Sequence, residues 1–412
     1  MQVDIRVPVG LPIPQVADFI ARCEDAGFDG VGVHDHPGSG RDVYVTLALA
    51  AQRTRRIRLY PATSSPVVRH PLLLASLAQS LDEVAPGRIC LTVAPGFLAV
   101  RSIGQPRASL ATMREAVLDL RRLLAGETVP FGPTPSRLRN LGGRRMPVYL
   151  LAAGPRMVEL AGEVADGALL LVGLHSRAVA AARQHLEAGA RRAGRALPGF
   201  HTVFIVPIAL EESLETARRW PQRWFAPGHP WLTYPSASNL YWLRQAGFTL
   251  PDEPAPESVS DELAARICDA FGLFGPPERC LEGLLRAREE AGVEHVFLFP
   301  AHTLEGGYDM PHREVEAFAR VIRPRVLANE IVERPGDTHD LVDRPGTASD
   351  GDDEEVPRDA GAARLRGDRG EAQTPRRVTV CEASELDAFP IGGDHEDLGE
   401  VTVRHEETTA RA

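Results

Sequence analysis

The chain contains no lysine: all 46 of its basic residues are arginine. That absence excludes a Schiff-base lysine, covalently held pyridoxal phosphate and the usual lysine-containing phosphate loop. Cysteine is scarce and scattered. Cys23, Cys90, Cys268, Cys280 and Cys381 form no C-x-x-C pair and read as buried apolar fillers in a reducing compartment. No apolar run approaches the roughly 18 to 20 residues that cross a bilayer, so no membrane partner is expected. The N-terminal Met1-Gln2-Val3-Asp4 has neither the basic flank nor the apolar core of an export signal, and a cytoplasmic location is expected.

An excess of positive charge is also missing. The net charge is −10, and it belongs to one end. Residues 331–412 hold 21 acidic residues against 10 arginines, whereas the first 330 residues hold 35 against 36. A near-neutral body argues against nucleic acid as a partner. From about Pro335 onward large apolar residues are few, and Asp350-Gly-Asp-Asp-Glu-Glu355 is a solvated charge run. Residues 331–412 therefore read as a disordered acidic C-terminal tail behind a folded body of residues 1–330.

What is present is an alternation of short apolar strands with amphipathic helices. Strands are predicted at Val3–Val7, Gly30–His34, Ile57–Ala62, Ile89–Val93, Val148–Ala152, Ala168–Val172, Val203–Ile208 and His295–Phe299. Between them run helical patterns such as Val16, Phe19, Ile20 and Cys23, or Met113, Ala116, Val117 and Leu120. Eight strands each trailed by a helix predict an α/β fold, a (β/α)8 TIM barrel. Val9-Gly10-Leu11-Pro12 is no G-x-G-x-x-G, which argues against an open dinucleotide-binding sheet. An insertion of about residues 211–277 separates strands 7 and 8 and holds all four tryptophans, Trp220, Trp224, Trp231 and Trp242. It reads either as an aromatic subcore or dimer contact, or as a cap over the barrel mouth.

In such a barrel the chemistry sits where strands end. His34-Asp35-His36 ends the second strand, and alternation puts His34 and His36 on one face. The pair reads as a zinc site completed by His175, His201 or His302, as the wall of a cofactor pocket, or as an ordinary loop start. Ala62-Thr63-Ser64-Ser65-Pro66 and Ala94-Pro95-Gly96-Phe97 follow strands three and four, and their small residues let a flat ring approach the backbone. Gly154-Pro155-Arg156-Met157 follows strand five and opens a helix. Its free N–H groups, with Arg156 beside them, suit an anion such as phosphate, although Pro also marks ordinary helix starts.

Taken in order, these stretches resemble the luciferase-like monooxygenase superfamily, and most closely its deazaflavin-dependent branch typified by methylenetetrahydromethanopterin reductase. The resemblance rests on Glu24-Asp-Ala-Gly-Phe-Asp-Gly30 running into Val33-His-Asp-His36, and on Arg58-Leu59 through Ser65-Pro66 to Arg69-His-Pro71. It continues through Ser80-Leu-Asp-Glu83, Ala153-Gly-Pro-Arg-Met157, Ala165-Asp-Gly167 and Gly275-Pro-Pro-Glu278, covering about residues 3–325. It implies a barrel that binds coenzyme F420, or alternatively FMN, at the C-terminal ends of its strands. It implies a non-prolyl cis peptide at Ala62–Thr63 backing the central ring, with Thr63, Ser64, Pro95 and Gly96 around it. Asp35 and His36 would face that ring as the catalytic pair, and Gly154, Pro155, Arg156 and Met157 would hold a phosphate of the cofactor tail. Homodimers are common in the superfamily, so one is expected here by analogy.

Two departures redirect the expectation. Related reductases often carry an acid where this chain has Phe97, and some carry a Glu where it has Arg6. The missing carboxylates argue against the methanopterin reductase reaction itself, and Phe97 points to a more apolar small-molecule substrate. The leading expectation is hydride transfer between coenzyme F420 and a small organic substrate. An FMN monooxygenase, a metal-dependent hydrolase using His34 and His36, and a catalytically silent barrel with a partner-binding tail are the alternatives.

Overall fold

Period-two alternation on eight short strands generates the architecture. The structure is a computed structural model that describes residues 1–224, 237–251, 256–302 and 305–326. The strands are β1 (Gln2–Val7), β2 (Gly30–Val33), β3 (Arg58–Pro61), β4 (Leu91–Val93), β5 (Val148–Ala152), β6 (Gly167–Leu170), β7 (His201–Leu210) and β8 (His295–Pro300). They pair in parallel in the order β3-β2-β1-β8-β7-β6-β5-β4. Isolated parallel bridges, Leu59 to Ile89 and Ser64 to Val93, return β4 to β3. The result is the expected (β/α)8 TIM barrel.

Helices α1 (Ile13–Asp25), α2 (Val43–Arg53), α3 (Pro71–Val84), α4 (Leu110–Leu124), α5 (Pro155–Val164), α6 (Ser176–Arg192), α7 (Pro277–Ala291) and α8 (His312–Ala317) follow the strands in turn. Their apolar stripes cover outward-facing strand residues such as Ile5, Val33, Leu59, Leu150, Leu170, Val206 and Leu298, all fully buried. Burial of each such side chain contributes about 1.5 to 3 kcal/mol. The alternate residues turn inward. Tyr60, Cys90, Leu169, Val203, Ile205 and Phe297 fill the barrel axis as a separate cluster. Gly32 on β2 belongs to that interior, where a Cβ would stand 2.7 to 2.8 Å from Tyr60, Ala62 and Phe297. Only glycine leaves room for those rings.

The insertion departs from a plain barrel connection. It contains helices Leu214–Ala217, Arg219–Trp224, Ala237–Gln245 and Asp261–Phe271. A short strand, Leu273–Gly275, pairs with the last three residues of β7. Trp242 is fully buried. Trp231, the side chain of Trp224, Cys381 and the acidic segment 331–412 lie outside the described residues. The other four cysteines are buried and free. Among the described residues no helix is long and apolar enough to cross a membrane.

Candidate active site

Two strand ends and a helix start converge on Asp35. The turn after β2 leaves it buried, with 6% of its surface exposed. Ser64, just past β3, donates its hydroxyl to Asp35 Oδ2 at 2.6 Å. Arg69 donates Nη1 to the same carboxylate at 2.6 and 2.9 Å. Burial raises the pKa of Asp35, against the pull of Arg69 and Ser64. Arg69 continues to Asp42 at 2.8 Å, and Asp42 caps α2 by accepting from the backbone N–H groups of Tyr44 and Val45. The Tyr44 hydroxyl meets Ser64 Oγ at 2.9 Å. The structure thus turns the Asp35 carboxylate toward Ser64 and Arg69, tying β2, the loop after β3 and α2 together.

His36 stands closer to the opening. Its Nδ1 is hydrogen-bonded to the Tyr308 hydroxyl, and its Nε2 lies 3.4 Å from Ser102 Oγ. The rings of His34 and His36 stack at 5.6 Å and those of His36 and Tyr308 at 5.9 Å, as expected for residues two apart on one face. Burial lowers the pKa of His36 and lowers that of His34 much further, with Arg6 adding to the effect on His34. Both rings are therefore neutral at pH 7.

The zinc alternative finds no assembly. His201 opens β7 at the opposite end of the barrel and bonds through Nε2 to His295 Nδ1 at 2.6 Å. His175 Nδ1 accepts the backbone N–H of Arg177 at the start of α6, and His302 packs beside Phe299. Among the described residues no group of three or more His, Cys, Asp or Glu side chains is placed to hold a metal.

The peptide between Ala62 and Thr63 is cis. From it the chain runs straight to Ser64, whose N–H donates to the Thr92 carbonyl at 3.1 Å and whose own carbonyl accepts from Ala94 at 2.9 Å. These bonds stitch the two loops that hold Thr63, Ser64, Pro95 and Gly96. Gly96 has φ of +88°, and a Cβ there would lie 2.4 Å from Val100, so both backbone and space demand glycine. Phe97 is 42% exposed, and Arg107 reaches over its ring.

At β5 the strand gives way to Gly154, which precedes α5 with Pro155 in its first turn. No side chain caps this helix start, leaving the partial positive charge of the first turn, with Arg156 and Met157, open to an anion. The insertion holds this turn in place: Trp242 Nε1 donates to the Ala153 carbonyl at 2.5 Å, and Ser238 Oγ would be 3.1 Å from a Cβ on Gly154. The expected sites on β2, β3, β4 and β5 all lie at the C-terminal ends of their strands. Tyr308 and Ser102 go unmarked in the sequence, whereas Trp242 is one of the insertion tryptophans read as a subcore, a dimer contact or a cap. Tyr308 lies 272 residues from His36, and no local pattern couples them.

Comparison with known proteins agrees with this geometry. The family model for luciferase-like monooxygenases matches residues 2–295. A 5,10-methylenetetrahydromethanopterin reductase of Methanolobus tindarius is 36% identical over 196 residues, 45% of this chain and 58% of that protein. The chain thus spans little more than half of that relative. The reductase of the same name from Archaeoglobus fulgidus is 29% identical over 295 residues, covering 68% of this chain and 87% of its own length. The solved structure of a coenzyme F420 dependent tetrahydromethanopterin reductase from Methanopyrus kandleri superposes with a TM-score of 0.57 at 20% identity, covering 79% of this chain and 99% of that one. By the extent of the family match, this chain belongs to the luciferase-like monooxygenase family.

Proposed function

We propose that this chain is an oxidoreductase that transfers hydride between coenzyme F420 and a small organic substrate at the C-terminal mouth of its barrel. The observation that carries the reading is the uncapped start of α5, with Arg156 beside it, at the same barrel end as His36 and the cis loop after β3. Small and glycine positions at Ala62, Gly96 and Gly154 fit a flat ring with a phosphate-bearing tail. The first turn of α5 and Arg156 suit the phosphate, and the loops at Thr63–Ser64 and Pro95–Gly96 suit the ring. Relatives named for a methanopterin reductase, and a fold neighbour named as F420 dependent, support this cofactor.

When bound, F420 supplies a carbon that accepts or gives hydride. The protein's part is positional and protonic. Ser64, fixed by Asp35 and Tyr44, holds the loop that backs the ring, so Asp35 is a positioning residue. His36, neutral and hydrogen-bonded to Tyr308, holds or moves a proton at its ring nitrogens. Arg6 and Phe97, with no acid at either position, favour a substrate other than methanopterin.

The second reading, an FMN monooxygenase, is favoured by the family to which the chain belongs. The two separate when the full chain is purified from a host that makes both cofactors and the extracted chromophore is identified by mass. F420 supports the proposal; FMN alone overturns it.

A further inference from the structure

Two charged residues of β1 point into the barrel, and their surroundings differ. Asp4 is buried but fully answered: Arg58 lies 3.2 Å from it, His295 3.0 Å, and the Tyr60 hydroxyl donates to it at 2.8 Å. One pleat nearer the mouth, Arg6 is 4% exposed and has no such answer. Its Nη2 donates to His34 Nδ1 at 3.1 Å and to the Gly307 carbonyl at 3.2 Å, and the Phe299 ring lies 4.8 Å from its guanidinium carbon. His34 is neutral, Gly307 offers a carbonyl and Phe299 a ring face. Among the described residues no carboxylate pairs with Arg6.

A buried guanidinium with no counter-charge destabilises the fold in a way that a Met of similar volume would not. Burial pulls its pKa down to about 10, which still leaves it charged at pH 7. Both known partners engage Nη2, which leaves the Nε and Nη1 N–H groups to donate charge-assisted hydrogen bonds singly to a carboxylate. Beside it His34, His36 and Tyr308 form a stack of rings, and the Phe299 ring lies against the guanidinium.

We propose that Arg6 is the counter-charge for a carboxylate on the substrate, so that the enzyme acts on a small organic acid whose apolar part lies against the His34, His36, Tyr308 and Phe299 rings. This deepens the hydride-transfer reading and rests on it for the identity of the site. The charge of Arg6 selects the acid, the rings select an apolar body, and neither is supplied by the cofactor-holding loops.

The test is calorimetric titration of the full chain, with and without F420, using benzoate and its neutral isostere benzamide at constant ionic strength. Wild type is expected to bind benzoate at least tenfold more tightly than benzamide. Arg6→Met is expected to abolish that preference, raise Tm by a few degrees through removal of an unpaired buried charge, and leave F420 affinity within twofold. Arg6→Lys is expected to keep part of the preference, which guards against a general loss of structure. Equal affinity for the two probes in wild type, or a preference that survives Arg6→Met, overturns the proposal. So does a loss of F420 affinity in Arg6→Met, because the charge would then serve the cofactor. If F420 binds no form of the protein while the Arg6-dependent preference for benzoate remains, the assignment of Arg6 stands and the cofactor reading falls.

Discussion

Asp35 and Ser64 show how two buried side chains tie together the loops of the candidate site. Asp35 accepts from Ser64 and Arg69, and Ser64 is also bonded to Tyr44, so each is saturated by groups of the fold. Ser64→Ala leaves the Tyr44 hydroxyl without its partner and Asp35 with Arg69 alone. An orphaned buried hydroxyl costs about 1 to 3 kcal/mol, and urea unfolding should register about 2 kcal/mol of lost stability. Asp35→Asn removes the buried negative charge and leaves Arg69 only Asp42, with an expected cost of about 3 kcal/mol. A change below 0.5 kcal/mol in either variant, on the order of a neutral surface substitution, would contradict the network.

At the scale of elements, the insertion reaches the turn before α5 through one indole. Trp242→Phe keeps the ring in its buried position but removes the donor to the Ala153 carbonyl. A loss of about 1 to 2 kcal/mol is expected, together with weaker F420 binding, because Ala153 leads directly into Gly154. Fluorescence titration checks this: lost stability with unchanged affinity would mean that the insertion supports the fold and not the turn. Strand positions were legible wherever inward and outward alternation is strong. β5 was read at its observed bounds, Val148–Ala152. β4 was read too long because its early residues close the barrel by a lone bridge at Ile89 instead of a ladder. β7 runs past its predicted end because the Leu273–Gly275 strand extends its pairing, a partnership no local pattern carries. The same limit hid Tyr308 from His36 and Trp242 from Ala153. Residues joined by local turns, such as His34-Asp35-His36 or Gly154-Pro155-Arg156, were legible, whereas partners supplied by tertiary packing were not.

For the whole molecule, half-buried histidines contribute to the response to acid. Burial lowers the pKa of His34, His36, His175 and His201, that of His201 to about 4, with His295 and Arg58 adding to it. The unfolded chain takes up protons on these groups near pH 6.5, while the folded chain takes them up only at lower pH. Their contribution is therefore complete above about pH 6.5 and is lost as pH falls toward 4, at no more than about 1.4 kcal/mol per pH unit for each proton. Tm is expected to drop by several degrees between pH 7 and pH 5, and the drop should be shallower in His201→Gln. A flat profile across that range would show that these rings are not held neutral.

The proposed chemistry depends on the barrel mouth taking a deazaflavin. Its most direct test is equilibrium fluorescence titration of the full chain with oxidised F420 and, separately, with FMN. Saturable F420 binding is expected, at least tenfold tighter than FMN, and weakened by Arg156→Met through loss of a phosphate contact. Tighter binding of FMN, or no binding of either, would contradict it.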